Sequence, residues 1–158
     1  AAHVLEHCPD TIFIVTGRGE MEWELMRLAA DLGIADKVLF AGFNPPDQVN
    51  RLFFFFYLSV LPSVSVPFGL TPLESFLNGT PVLISKQSGV SEVLANALKA
   101  DFWDVDEMTN KIVSVLQNQP LKQQLAEMGN GEARRLTWHE AAKKCIELYN
   151  TLLSPKVA

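Results

Sequence analysis

The stretch Pro67-Phe68-Gly69-Leu70-Thr71-Pro72-Leu73-Glu74, followed by Gly79-Thr80-Pro81-Val82, decides how this chain is read. Gly69 permits an unusual turn, or the close approach of a ligand to the main chain. Thr71 is a good N-cap, Pro72 suits the first helical position, and Glu74 lies three residues after the cap. The pattern predicts a short helix opening behind a glycine loop, with free backbone N–H groups at its mouth. Such a mouth attracts anions, phosphate included. Gly79 ends the helix, and Pro81-Val82-Leu83-Ile84 reads as the start of a buried strand.

Working outward, the same alternation recurs. Thr11-Ile12-Phe13-Ile14-Val15-Thr16, bounded by Pro9-Asp10 and Gly17, reads as a strand buried on both faces, as in parallel sheets. Met21, Leu25, Leu28, Ala29 and Leu32 recur at helical spacing until Gly33. Val38-Leu39-Phe40-Ala41 is a second strand. Asn44-Pro45-Pro46-Asp47 opens a helix that runs to about Phe54, and Tyr57 to Leu61 is a third strand. A short helix is expected over Ser88 to Leu94, and a short edge strand over Ala100-Asp101-Phe102-Trp103. The last third is helical: Asp106 to Gln117, a helix from Pro120 ending near Gly129 or Gly131, and Trp138 to Leu153. Strand–helix alternation of this kind implies an α/β fold with a parallel sheet and right-handed crossovers. Ligands of such sheets bind outside the carboxyl ends of the strands. The loops there are Gly17-Arg18-Gly19, Gly42-Phe43-Asn44, Ser63 to Leu70, and Ser85 to Gly89.

Composition narrows the partners. The 158 residues suit one domain, and 48% apolar with 20% charged residues suits a packed core. A net charge of −5 argues against nucleic acid or an anionic membrane as the main partner. Cys8 and Cys145 form no metal or disulfide pattern, which points to a reducing cytoplasm. The run from Leu52 to Leu61 is too short for a transmembrane span. The opening residues Ala1 to Pro9 read as the tail of a helix, as in a fragment of a longer polypeptide.

Two readings of Glu74 stay open. In one it completes a capping box with Thr71. In the other it stands free at a strand-end crevice and accepts hydrogen bonds from sugar hydroxyls, as carboxylates do for the ribose in dinucleotide folds. Gly17-Arg18-Gly19 lacks the third glycine of a dinucleotide fingerprint, since Glu22 stands there; it reads as a strand-to-helix turn bordering the ligand. Phe53 to Phe56 reads as a helix end entering a buried strand, with an exposed patch as the alternative. His3, His7 and His139 have no metal-ligand spacing, and no metal is expected. Ser63 and Ser65 lie in no nucleophile elbow. A signalling receiver domain would need an aspartate at a strand end, where this chain has Thr16-Gly17 and Pro62-Ser63.

The set Pro62-Ser63, Pro67-Phe68-Gly69-Leu70, Glu74, Gly79-Thr80-Pro81-Val82, Gly89 and Glu92 resembles the retaining glycosyltransferases of family 4, the group 1 glycosyltransferases. The resemblance runs from Pro9-Asp10 through Thr137-Trp138 and Tyr149. It implies the GT-B fold, in which two Rossmann-like domains face each other across a cleft. This chain, residues 1–158, would be the donor-binding domain: a parallel sheet with helices on both faces and a helical C-terminal segment. The acceptor domain would belong to the same parent chain. Glu74 matches the second glutamate of the family's E-x7-E motif and would hold the donor ribose. The amides of Phe68, Gly69, Leu70 and Thr71 would face the donor sugar and diphosphate, and Phe43 and Asn44 would lie beside the base. The substrate implied is a nucleotide-diphosphate sugar, with no cofactor and no obligatory metal. The chain departs from the family at Val66, which replaces the first glutamate and leaves the catalytic residue unassigned. It also carries Phe56-Tyr57 where Ala-Asp is common, and the family's arginine–lysine pair for the diphosphate lies outside it. The fragment alone is expected to be inactive. A non-catalytic nucleotide-binding module and a sugar-nucleotide epimerase of the same fold are the alternatives.

Overall fold

The computed structural model describes residues 1–153. Five strands and seven α-helices alternate: α1 (Ala2–His7), β1 (Phe13–Thr16), α2 (Glu22–Asp31), β2 (Val38–Gly42), α3 (Pro46–Phe55), β3 (Ser59–Leu61), α4 (Thr71–Leu77), β4 (Val82–Ser85), β5 (Leu98–Ala100), α5 (Val105–Gln117), α6 (Gln119–Ala133) and α7 (Trp138–Leu153). Single 3-10 turns occur at Ala35–Lys37 and Gly89–Glu92. Every strand pairing is parallel, as the alternation requires.

The strands form two sheets rather than one. β1 pairs with β2, with Phe13 opposite Val38 and an irregularity between Val15 and Thr16. β3, β4 and β5 form the second sheet in that order. The consequence for burial is large. β4 has a strand on each side and all four of its residues are buried. β1 has a strand on one side only; Ile14, Val15 and Thr16 are exposed, so the expectation of a strand buried on both faces is corrected here. Composition told that β1 suits a sheet interior, and what is missing is a neighbour to bury it.

The core gathers around β4. Leu73 and Phe76 from α4 meet Val82 and Ile84 of β4, Val90 and Leu94 of the following loop, and Ala133 of α6. Full burial of a side chain such as Phe76 or Ile84 contributes about 1.5–3 kcal/mol. α6 approaches α4 closely because Gly129 has no side chain. A Cβ there would lie 2.1 Å from a carbon of the Phe76 ring. Gly129 and Gly131 therefore sit inside α6, not at its end as their identity suggests. Asn130 on the same helix donates its amide to the carbonyls of Phe76 and Leu77 in the last turn of α4, where the Phe76 carbonyl also accepts the Gly79 N–H.

Smaller shifts have local causes. The fifth strand covers Leu98–Ala100 rather than Ala100 to Trp103, and the Ser88–Leu94 helix shrinks to one 3-10 turn. Of the four consecutive phenylalanines, Phe53 is buried at 4% while Phe54 and Phe55 are 74% and 80% exposed, so both expectations for that run hold in part. Thr80 donates its hydroxyl to the carbonyls of Phe53 and Phe56, tying the end of α3 to the start of β4. Phe56 and Tyr57 are half-buried, and the Tyr57 hydroxyl donates to Gln119 while Lys122 lies over its ring at 4.1 Å.

Candidate functional site

The loop from β3 to α4 shapes the first part of the site. Gly69 adopts φ +81°, a backbone conformation that other residues rarely reach, and a Cβ there would come within 3.1 Å of Val66 Cγ1. The Val66 carbonyl accepts the Gly89 N–H at 3.1 Å. At Gly89 an added Cβ would lie 1.8 Å from the Pro67 carbonyl oxygen. Glycines at 69 and 89 thus let two strand-end loops close on each other. Between them lies a cavity of about 130 Å³, lined by Leu61, Ser63, Val66, Phe68, Gly69, Thr71, Pro72, Ile84, Ser88 and Val90. Phe68, Gly69 and Thr71 come together there, as the spacing requires, and Val66 contributes an apolar wall.

The helix cap differs from expectation. Leu70 is the N-cap of α4, so Thr71 takes the first helical position and Pro72 the second. No side chain caps this helix, and the capping box of Thr71 with Glu74 does not form. A threonine inside the first turn has helical backbone angles and cannot reach the amides that an N-cap satisfies. Glu74 is exposed, and its carboxylate makes no hydrogen bond or ion pair with any described residue. The capping-box reading of Glu74 is thereby removed, and the residue lies outside the lining of the cavity. Leu70 is half-exposed and lies outside the cavity lining.

Gly17 belongs to a second cavity, of about 150 Å³, at the carboxyl end of β1. Thr16, Arg18, Gly19, Met21, Glu22, Leu25 and Phe40 line it with Gly17. Gly17 has φ +107°, and its N–H bonds the Gly42 carbonyl at 2.8 Å, which joins the ends of β1 and β2. Phe43 is 68% exposed, and Asn44 folds its amide back onto the Gly42 carbonyl at 3.1 Å, so neither residue lines either cavity. Arg18, expected in a strand-end turn bordering the ligand, lines this cavity together with Phe40 of β2.

Charge concentrates at the carboxyl ends of β4 and β5. Lys86 bridges Asp101 at 2.9 Å and Glu107 at 3.3 Å. Lys111 pairs with Glu107 at 2.7 Å and also donates to the Lys99 carbonyl. The hydrogen bond from Lys86, with one from Gln87, holds the Asp101 carboxyl below its usual range. The bond from Lys111 does the same for Glu107. Both acids raise Lys86. Burial pushes Glu132 up, but the amides of Ala95 and Asn96, bonded at 2.7 and 3.0 Å, outweigh it and leave the group lowered. Among the described residues no cluster of three or more histidine, cysteine or acidic side chains could hold a metal ion. Among the described residues no helix is long and apolar enough to cross a membrane.

The family profile described as "Glycosyl transferases group 1" matches residues 1–132. The D-inositol 3-phosphate glycosyltransferase of Corynebacterium urealyticum is 28% identical over 96% of this chain and 38% of its own length. The Anabaena protein HepE, solved with UDP and also with UDP-glucose, superimposes with a TM-score of 0.79 at 20% identity, over 94% of this chain and 44% of that one. The C-terminal domain of LpcC, a glycosyl transferase group 1 family protein of Francisella tularensis, superimposes with a TM-score of 0.76 at 18% identity, over 85% of this chain and 75% of that one. The chain spans about a third of the length of the curated relatives it matches.

Proposed function

Because this chain belongs to the group 1 glycosyltransferases, whose solved neighbours have the GT-B fold, we propose that it is the domain that binds the nucleotide-sugar donor of such an enzyme. The observation that carries this reading is Glu74: an exposed carboxylate with no partner among the described residues, two positions after a proline that lines the 130 Å³ cavity. A carboxylate accepts hydrogen bonds from both hydroxyls of a vicinal diol, which is what a ribose offers. The N–H groups of Gly69, Leu70 and Thr71 bond no other described residue. They supply oriented dipoles for the diphosphate as negative charge builds on it during departure. Transfer would proceed with retained anomeric configuration and without an obligatory metal. The acceptor would enter from another domain of the longer protein, so the 158 residues alone should not turn over substrate. The two free cysteines agree with a cytoplasmic setting.

The test is a titration of the chain with UDP and with UDP-glucose, followed by amide NMR. Binding on the order of 1 mM is expected, with shifts centred on Gly69, Leu70, Thr71 and Glu74. Shifts confined to α5, α6 and α7 would overturn the assignment.

Val66 favours a second reading. Valine accepts no hydrogen bond, and its side chain packs against Gly69 in the cavity wall. A binding module without turnover would tolerate that loss. In the full-length protein, Val66→Glu should raise transfer if the protein is an enzyme limited by this position. An inactive parent that stays inactive with Val66→Glu, while still binding UDP, supports the module.

A further inference from the structure

The 130 Å³ cavity between the β3–α4 loop and the carboxyl end of β4 is walled mostly by hydrocarbon. Leu61, Val66, Phe68, Pro72, Ile84 and Val90 supply that wall, and the hydroxyls of Ser63, Thr71 and Ser88 complete it. Among the described residues no charged or amide side chain lines the space. The polar side chains beside Ser88 are committed elsewhere. Lys86 bonds Asp101 and Glu107, and Gln87 donates to Asp101 at 2.6 Å. Ser88 is 5% exposed and donates its own hydroxyl to the Ser85 carbonyl at 2.8 Å. Of the lining hydroxyls, those of Ser63 and Thr71 make no hydrogen bond with any described residue.

Val66 is held in this wall from two sides. Its carbonyl accepts the Gly89 N–H at 3.1 Å, and its Cγ1 packs where a Gly69 side chain would otherwise stand. Its backbone is thus spent on the neighbouring loop, and its isopropyl group is what it offers a ligand. A glucosyl group carries a hydroxyl on every free ring carbon and on its exocyclic carbon. Two uncommitted protein hydroxyls cannot serve them all. A sugar hydroxyl turned to Val66 or Phe68 loses its water and gains no partner, which is costly. A carbon bearing only hydrogen at that place loses no hydrogen bond and buries apolar surface.

We propose that the sugar taken by this cavity is a deoxyhexose, donated as its nucleoside diphosphate, with the deoxygenated carbon against Val66. Ser63 and Thr71 meet hydroxyls that remain on the ring. This assignment rests on the donor reading of the site, and it makes Val66 a selectivity residue rather than a lost function. An apolar pocket rejects an added hydroxyl by about 100-fold at most, so the preference is of that order or somewhat less.

The experiment is competition binding to the full-length protein. UDP, GDP, ADP and dTDP are titrated first, and the tightest binder fixes the base. The glucosyl conjugate of that diphosphate is then compared with its 2-, 3-, 4- and 6-deoxy analogues and with the N-acetylglucosaminyl conjugate. One deoxy analogue should bind about 10- to 100-fold more tightly than the glucosyl conjugate. In Val66→Glu the preference should vanish or reverse, read as the ratio of the two affinities within the same variant. Val66→Gln, which also accepts hydrogen bonds, serves where the glutamate variant does not fold. Equal binding across the panel, or tightest binding of the glucosyl or N-acetylglucosaminyl conjugate, overturns the deoxyhexose assignment and leaves the donor reading in place. A deoxy preference that both Val66 variants retain overturns it as well, since the deoxygenated carbon then lies elsewhere. Should none of the four diphosphates bind, the donor reading fails and the assignment fails with it.

Discussion

A carboxylate that capped its own helix would cost stability when removed, and Glu74 caps nothing. Glu74→Gln should therefore leave the thermal midpoint nearly unchanged, since exposed substitutions without partners usually stay within about 0.5 kcal/mol. The same change should weaken UDP binding about 10- to 100-fold, the range for one lost hydrogen-bonded charge. Calorimetric unfolding and an NMR titration measure the two effects separately. A large drop in stability with binding intact would return Glu74 to a structural role. Gly129 poses the opposite case. Its Cβ would fall 2.1–2.6 Å from three carbons of the Phe76 ring, deep in the core. Gly129→Ala should cost about 1–3 kcal/mol through overpacking, read from urea unfolding. Phe76→Leu in the same chain should recover part of that loss, because it removes the atoms that collide.

Between elements, single side chains join ends that the backbone leaves open. Thr80 is 2% exposed and serves the carbonyls of Phe53 and Phe56 at the end of α3. Thr80→Val keeps the shape and removes the donor, leaving the Phe53 carbonyl only the Phe56 N–H, at a cost of about 1 kcal/mol for the lost hydrogen bond. Denaturant unfolding of this variant checks the value; a loss below 0.5 kcal/mol would mean that water replaces the hydroxyl. The alternation of strands and helices was legible in the sequence because each segment carries its own period and its own stops, as Gly33 and Gly79 show at φ +68° and +78°. The cap of α4 was not legible. Thr71 and Leu70 compete for one position, and the turn at Gly69 against Val66 settles it in favour of Leu70.

Across the whole molecule, the ion network of Lys86, Asp101, Glu107 and Lys111 ties β4 and β5 to α5. Asp101 and Glu107 are lowered in the fold. Their stabilisation is complete above the ordinary carboxylate value, about 4, and is lost as pH falls through the depressed folded values. Lys86 is raised. Its contribution is complete below the ordinary lysine value, about 10.4, and is lost as pH rises through the folded value. The urea midpoint should thus be flat with respect to this network from about pH 5 to 9 and decline below about 4. Lys86→Met should flatten part of the acid decline, and added salt should shrink it, because these side chains are partly exposed. An acid decline that Lys86→Met leaves unaltered would assign it to other carboxylates.

The sequence alone determined the class of fold, the family and the loop that carries Gly69 and Glu74, because these depend on neighbours within a few residues: turn glycines, helix periods and short apolar runs. For Glu74 it left two readings open, a helix cap and a free carboxylate. Tertiary structure removed the cap, and it decided burial. β1 and β4 have similar apolar composition, yet one is largely exposed and the other wholly buried. The difference is the number of neighbouring strands, and a strand's own residues do not encode how many neighbours it finds.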